Sequence, residues 1–302
     1  MSKYYYLVAG LPNIAFDDGK LPYTVFGFKE ELADYLTKAD KRLLEFLFLE
    51  VDNKNLLEQL RYPDYEPTPG GNIEVEELNV LIDGVKSEIE SAKSEDEDEF
   101  TPFKNRNKRL PAYFEPFVRE YLTAIESGEE VTIPWEDRLS SLYYQYAMKC
   151  PNAFLTSWFE LNLNINNIFT AFTCRKYKLD REVYIVGDTD IANQLRFSNS
   201  RDFELDDSLD HLHAVLRIAE EPDLWQRELK IDLLKWEWLD EQTFVKVFDI
   251  ESVLTYMFKL QMMERWINLD KATGYTTFRT LVGAMKKGSD HTLEEFKRNN
   301  KK

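Results

Sequence analysis

Apolar residues recur at helical intervals along most of the chain. Leu32, Leu36, Ala39, Leu43 and Phe46 are separated by 4, 3, 4 and 3 positions, which places them on one face of a helix. Residues 78–93 follow the same spacing. The two longest stripes lie in the second half. Trp158, Leu161, Ile165, Ile168 and Phe172 step by 3, 4, 3 and 4. Ile250, Leu254, Met257, Leu260, Met263 and Ile267 step by 4, 3, 3, 3 and 4, and Gly274 stands close behind them as a C-terminal stop. Asp206 to Ala219 and Leu224 to Leu239 complete the helical pattern, the second opened by Pro222-Asp223.

The pattern breaks in four places. Tyr4 to Ala9 is aromatic and β-branched until Gly10 and Pro12, and predicts a short extended segment. Residues 61–75 hold Pro63, Pro67, Pro69, Gly70 and Gly71 and read as a loop. Glu182 to Val186 predicts a brief strand ahead of a turn at Gly187-Asp188. Five consecutive acids, Glu95 to Glu99, precede Lys104, Arg106, Lys108 and Arg109; this opposed charge block within 94–111 reads as a mobile surface insertion. No exact short repeat marks a solenoid. The expectation is therefore a mainly α fold without a large sheet. It would be one helical domain over 1–302, an elongated or funnel-shaped multi-helix bundle with room for pseudo-repeated units.

Composition narrows the function classes. With 302 residues the chain can bury about three quarters of its unfolded surface, so it needs no staple. Lys and Arg number 38 against 55 Asp and Glu, a formal charge of −17. That disfavours a general nucleic-acid binder, which must replace phosphate counterions, and docking on anionic lipid by charge alone. The most apolar run, Leu43 to Val51, is interrupted by Glu45 and Glu50 and falls far short of the roughly 20 residues of a membrane span. No signal-peptide pattern opens the chain. Two cysteines, Cys150 and Cys174, favour a reduced, cytoplasmic setting over a disulfide framework.

The familiar chemical motifs are missing. No glycine-rich phosphate loop, HExxH, CxxC, EF-hand loop or GxSxG elbow occurs. Three histidines are present, His211, His213 and His291. Residues two apart on a helix point about 200° away from each other, so His211 and His213 read as a surface pair rather than metal ligands. Asp188-x-Asp190 reads first as a turn and cap. Cys174 reads as a small packing residue. Trp236 and Trp238 read as helix contacts rather than a ligand pocket. Paired carboxylates carry no signal among 55 acids. No catalytic, cofactor or metal residue is assigned.

Asparagine is a poor helix-interior residue, yet Asn162, Asn164, Asn166 and Asn167 lie within the first long stripe. The segment Phe159 to Tyr177 resembles a helix of the C-type socket subunit of the V/A-type rotary ATPases (the d-type subunit of the eukaryotic enzyme). That helix carries Asp, then Asn-Ile, then a basic residue. Asn166 or Asn167 with Ile168 matches the Asn-Ile pair, Arg175 matches the basic residue, and Asn164 stands where the family tends to have Asp. Val253 to Leu269 resembles the last long helix of the same family, with Tyr256, Lys259 and Glu264 similar in type. The opening Tyr4 to Pro12 resembles that of a bacterial family of unknown function encoded in V-type ATPase operons. The chain lacks the Arg-rich opening helix typical of the C-type family, and residues 61–111 read as an insertion.

This resemblance implies a non-catalytic socket subunit without a cofactor. Such a protein sits peripherally on the inner face of the membrane. It receives the central stalk and couples it to the rotor ring for ion transport, proton or sodium. Partners would be the stalk subunits and the ring, with no nucleic acid, no membrane insertion and a monomer in isolation. Complementary potential suits an acidic body facing a basic partner. Two other readings stand beside it: a helical enzyme using His211, His213 and neighbouring acids, and an unrelated cytosolic adaptor.

Overall fold

The computed structural model describes residues 4–92, 103–105, 107–128, 132–205 and 210–273. Glu95 to Glu99, Arg106, Asp206, Asp207, Gly274 and His291 lie outside the described residues. Helices follow one another as α1 (Tyr5–Gly10), α2 (Val25–Tyr35), α3 (Lys38–Glu45), α4 (Leu49–Arg61), α5 (Val75–Ser91), α6 (Phe114–Ser127), α7 (Trp135–Ala147), α8 (Ala153–Tyr177), α9 (Arg181–Tyr184), α10 (Asp190–Phe197), α11 (Asp210–Ala219), α12 (Leu224–Thr243) and α13 (Ile250–Thr273), with a 3-10 turn at Phe46–Phe48. Among the described residues there is no strand, so the fold is mainly α. Among them, too, no helix is long and apolar enough to cross a membrane.

Side-chain caps set most starts. Thr24, Asn152, Thr189 and Asp223 each accept from the backbone N–H three residues on. Glu74 and Glu77 close a capping box at α5. Gly128, at φ 66, ends α6 in the left-handed conformation that glycine adopts without strain. Lys178, at φ 57, ends α8 in the same way, and the Leu179 N–H reaches the Cys174 carbonyl at 2.9 Å.

Three local expectations are corrected. The first residues form α1 rather than an extended segment. Tertiary ties fix them: the Tyr4 N–H donates to the Phe248 carbonyl at 3.2 Å, and the Tyr4 hydroxyl donates to the buried Asp40. The stripe from Leu32 to Phe46 is not one helix. Leu36 is extended at ψ 143, and the Thr37 hydroxyl accepts from the Asp40 N–H at 3.3 Å, restarting the chain as α3. Glu182 to Val186 is not a strand. Asp180 caps the single turn α9, and Ile185 after it is extended. The Asn167 side chain takes the place of a strand partner for Val186: its Nδ2 donates to the Val186 carbonyl at 2.8 Å and its Oδ1 accepts from the Val186 N–H at 2.9 Å.

The chain divides into two compact units, one of residues 1–40 and 220–302, the other of 41–219. In the first, α13 packs against α2 and α12. Every residue from Val253 to Leu260 is buried, so the middle of α13 is enclosed around its whole circumference rather than along one stripe. In the second, α8 is the helix on which α7, α9, α10 and α11 pack. It too buries residues on several faces, Leu161, Leu163, Asn164, Ile165, Asn167 and Ile168 among them.

The 62–74 loop of the second unit is held by the polar face of α4. Asp52, Asn55 and Gln59 are spaced three and four residues apart and all three are buried. Asn55 exchanges two hydrogen bonds with the Thr68 backbone, both at 2.9 Å, and the Gln59 side chain donates to the Pro63 carbonyl at 3.0 Å. Asp52 accepts from the N–H groups of Asn72 and Ile73. Such pairing is what a proline-rich segment needs to be ordered without a sheet or helix of its own.

Glu88 of α5 accepts from Arg119 of α6 at 2.9 Å and from the Phe103 N–H at 3.1 Å. The Arg119 hydrogen bond outweighs desolvation and holds the Glu88 carboxyl below its ordinary value of 4.5. A lowered folded value means the unfolded state takes up the proton first, so this stabilisation is complete above 4.5 and is lost as pH falls through the folded value. Glu88→Gln is expected to cost about 1 kcal/mol at neutral pH and progressively less as pH falls below 4.5, read as urea midpoints of the two chains.

Candidate functional site

Each unit carries a cleft, and each cleft is lined by one of the two long helices. In the first unit a cavity of about 590 Å³ lies against α12 and α13. Lys259 crosses its wall, bonded to Asp240 at 2.5 Å and 4.4 Å from the centre of the Trp236 ring. Trp236 in turn meets Phe16 edge-on, with ring centres 5.4 Å apart. Burial pushes the Lys259 ammonium below its ordinary range, with Asp240 opposing the shift. Thr255 and Tyr256 line the same cavity, and their buried hydroxyl oxygens have no hydrogen-bond partner among the described residues. Burial first, and Tyr23 second, push the Tyr256 phenol up to about 12. Phe244, Val245 and Val247 are exposed nearby in sequence, a short apolar run on the segment after α12.

In the second unit a cavity of about 370 Å³ is lined by α4, α7, α8 and residues 184–186. Its charged wall consists of Glu50, Glu58, Glu136 and Asp137 against Lys54. Arg61 answers two of the acids, Glu136 at 2.6 Å and Glu58 at 3.5 Å. Burial, with the neighbouring Glu136, raises the Asp137 carboxyl. Tyr143 and Tyr144 stand side by side, ring centres 4.9 Å apart, and Asn166 donates to the Tyr144 hydroxyl at 3.1 Å. Burial holds both phenols above the ordinary tyrosine value, and the Glu50 carboxylate adds to the shift.

The residues singled out in the sequence fall at defined places. Asn166 and Asn167 line the second cleft, and both are engaged in packing bonds. Asn162 donates back to the Trp158 carbonyl one turn earlier at 2.7 Å. Asn164 is buried, and its Oδ1 has no partner among the described residues. Arg175 donates to the carbonyls of Arg201 at 2.9 Å and Ser200 at 2.6 Å and lies 3.9 Å over the Phe203 ring. It fixes the 198–205 segment. Glu264 accepts from the Val25 N–H at 3.3 Å and so ties α13 to the start of α2.

His211 and His213 lie two apart on α11, on well-separated faces. Among the described residues no group of three or more His, Cys, Asp or Glu side chains gathers for a metal. Asp188 and Asp190 flank the α10 start, but the cap itself is the Thr189 between them. Cys150 and Cys174 are free and buried, and burial raises both thiols, which suits packing rather than nucleophilic attack. Trp238 is buried as a packing residue.

The cleft residues missed by sequence reasoning are Glu50, Asp137, Tyr143 and Tyr144. They belong to ordinary amphipathic stretches, and only the packing of α7 against α4 and α8 brings them together. No curated protein and no solved structure matches this chain. A family model described as "Protein of unknown function (DUF2764)" matches residues 1–289. Since that match spans nearly the whole chain, the protein belongs to the DUF2764 family.

Proposed function

We propose that this chain is a non-catalytic socket subunit of a V/A-type rotary ATPase, held peripherally at the membrane through the complex and coupling the central stalk to the rotor ring. The observation that carries the reading is the resemblance of two segments to helices of the C-type socket family. Those segments lie on α8 and α13, the longest described helices at 25 and 24 residues, and each is a packing centre of its unit. A body that transmits torque needs stiff elements anchored along their length, and helices buried on several faces meet that need. The formal charge of −17 supports attraction to a basic stalk foot or basic ring loops, and the long-range part of that attraction weakens with salt.

The test is an affinity pull-down of the tagged full chain from its own cells in mild detergent, with partners identified by mass. The expected result is recovery of ATPase stalk and ring subunits, reduced at high salt. An ATPase complex that assembles intact without the chain, and never co-purifies with it, would overturn the assignment. Micromolar ATP binding by the isolated chain would overturn its non-catalytic part.

A further inference from the structure

The cleft of the second unit has an unbalanced wall. Arg61 occupies Glu136 and Glu58, but Glu50 and Asp137 have no cation within bonding distance among the described residues. The acids alone would make only a solvated face. Tyr143 adds an independent feature. Its side chain is 3% exposed, it lines the cleft, and its hydroxyl has no hydrogen-bond partner among the described residues. The ring is wedged against Phe159 and Tyr144, with centres 5.8 and 4.9 Å away, so the hydroxyl is held in place at the cleft wall. A hydroxyl fixed there without a protein partner is open to an occupant of the cleft.

The chemistry of the wall selects the occupant. Two free carboxylates and two phenols repel an anion and suit a donor-rich cation. An ammonium or guanidinium offers several N–H donors at once, one for each carboxylate and one for the phenol oxygen, and the faces of the tyrosine pair favour positive charge. Leu57, Leu139 and Leu163 line the rest of the cavity and suit an aliphatic stem. Its volume of about 370 Å³ lies at the small end of ligand sites and admits a lysine- or arginine-sized group. Among the described residues, the acids are not gathered as a metal site needs.

We propose that the cleft between α4, α7 and α8 binds an organic cation, a primary ammonium or guanidinium on a short aliphatic stem, with Glu50 and Asp137 neutralising its charge and Tyr143 accepting one of its N–H bonds. The site is confined to the second unit and does not depend on the stalk reading. The cation has two sources of the same chemistry: a free amine, or a Lys or Arg side chain presented by a protein.

Isothermal titration of the full chain separates them. The probes are 1,4-diaminobutane, 4-guanidinobutylamine, and the capped tripeptides acetyl-Gly-Lys-Gly-amide and acetyl-Gly-Arg-Gly-amide, with sodium glutarate as the anionic control. Saturable one-to-one binding of at least one cationic probe and none of glutarate is expected. Preference for the capped peptides points to a partner's side chain, and preference for the free amines to a small molecule; both outcomes support the site. Asp137→Asn and Glu50→Gln are each expected to weaken binding about tenfold and Tyr143→Phe severalfold, while Glu160→Gln, on an exposed part of α8, stays within about twofold. Glu50 is exposed, so its variant keeps the test sound even if Tyr143→Phe unfolds. No saturation with any cationic probe, or an equal loss in Glu160→Gln, would overturn the proposal.

Discussion

Asp52→Ala is expected to destabilise the second unit by about 3 to 5 kcal/mol, the sum of several stranded donors less what water recovers. Asp52 is fully buried. Its Oδ1 accepts from the Asn72 N–H at 2.7 Å and the Ile73 N–H at 3.1 Å, and its Oδ2 accepts from the Asn72 side chain at 2.8 Å. Removing the carboxylate leaves all three donors facing a void. The loop they belong to leads directly into α5, so the loss reaches the packing of α4 on α5. Gly71 shows how closely the parts fit: a Cβ there would come within 2.4 Å of the Asp52 Oδ1. Asp52→Asn should cost about half as much. Its remaining oxygen can keep both backbone donors. Its new amide would then face the Asn72 amide, which is not free to flip because it also donates to the Glu45 carbonyl at 2.9 Å. Urea unfolding, with hydrogen exchange over residues 72–85 as a local readout, checks the order wild type, Asn, Ala. An Ala variant within about 1 kcal/mol of wild type would mean that the loop is held by its other bonds, to Asn55 and Gln59.

This clamp illustrates what the sequence could and could not convey. The loop at 61–75 was legible because proline and glycine forbid regular structure locally. The side chains that order it were not, since Asp52, Asn55 and Gln59 read as the polar face of an amphipathic helix. The long helices α5, α8, α12 and α13 were legible because apolar spacing survives over many turns. The same spacing misled at Leu36, where a stripe continued across a break imposed by Thr37. Residue type misled at Tyr4 to Ala9 and at Glu182 to Val186. There β-branched and aromatic residues signalled extended chain, while Asp40, Phe248 and Asn167 supplied partners from far along the sequence. Propensity is a weak prior against such ties. The asparagines of α8 are poor helix formers, and Asn166 and Asn167 line a cleft. The tyrosines and acids beside them gave no signal, because a tyrosine on a helical stripe looks the same whether its hydroxyl meets water or an enclosed space.

The first unit holds the second large expected effect. Asp232 of α12 is buried and accepts from Arg265 and, at 2.7 Å, from the Trp266 Nε1–H, both on α13. Arg265 is 46% exposed and also faces Glu228 at 3.6 Å. The two partners are therefore unequal. Arg265 can turn to water when Asp232 is lost, but Asp232 cannot when Arg265 is lost. Arg265→Met is expected to cost about 2 to 3 kcal/mol, because it leaves a buried carboxylate with too few donors. Asp232→Asn alone keeps an acceptor for Trp266 and leaves the arginine hydrated, at about 1 kcal/mol. The double variant Asp232→Asn with Arg265→Met has no charge left to strand. It should be more stable than Arg265→Met alone, a coupling of about 2 kcal/mol in a double-mutant cycle. Strict additivity in that cycle would instead assign the stability of the α12–α13 pair to its apolar contacts, such as the edge-on stack of Trp225 on Trp266 at 5.0 Å, with the ion pair contributing little.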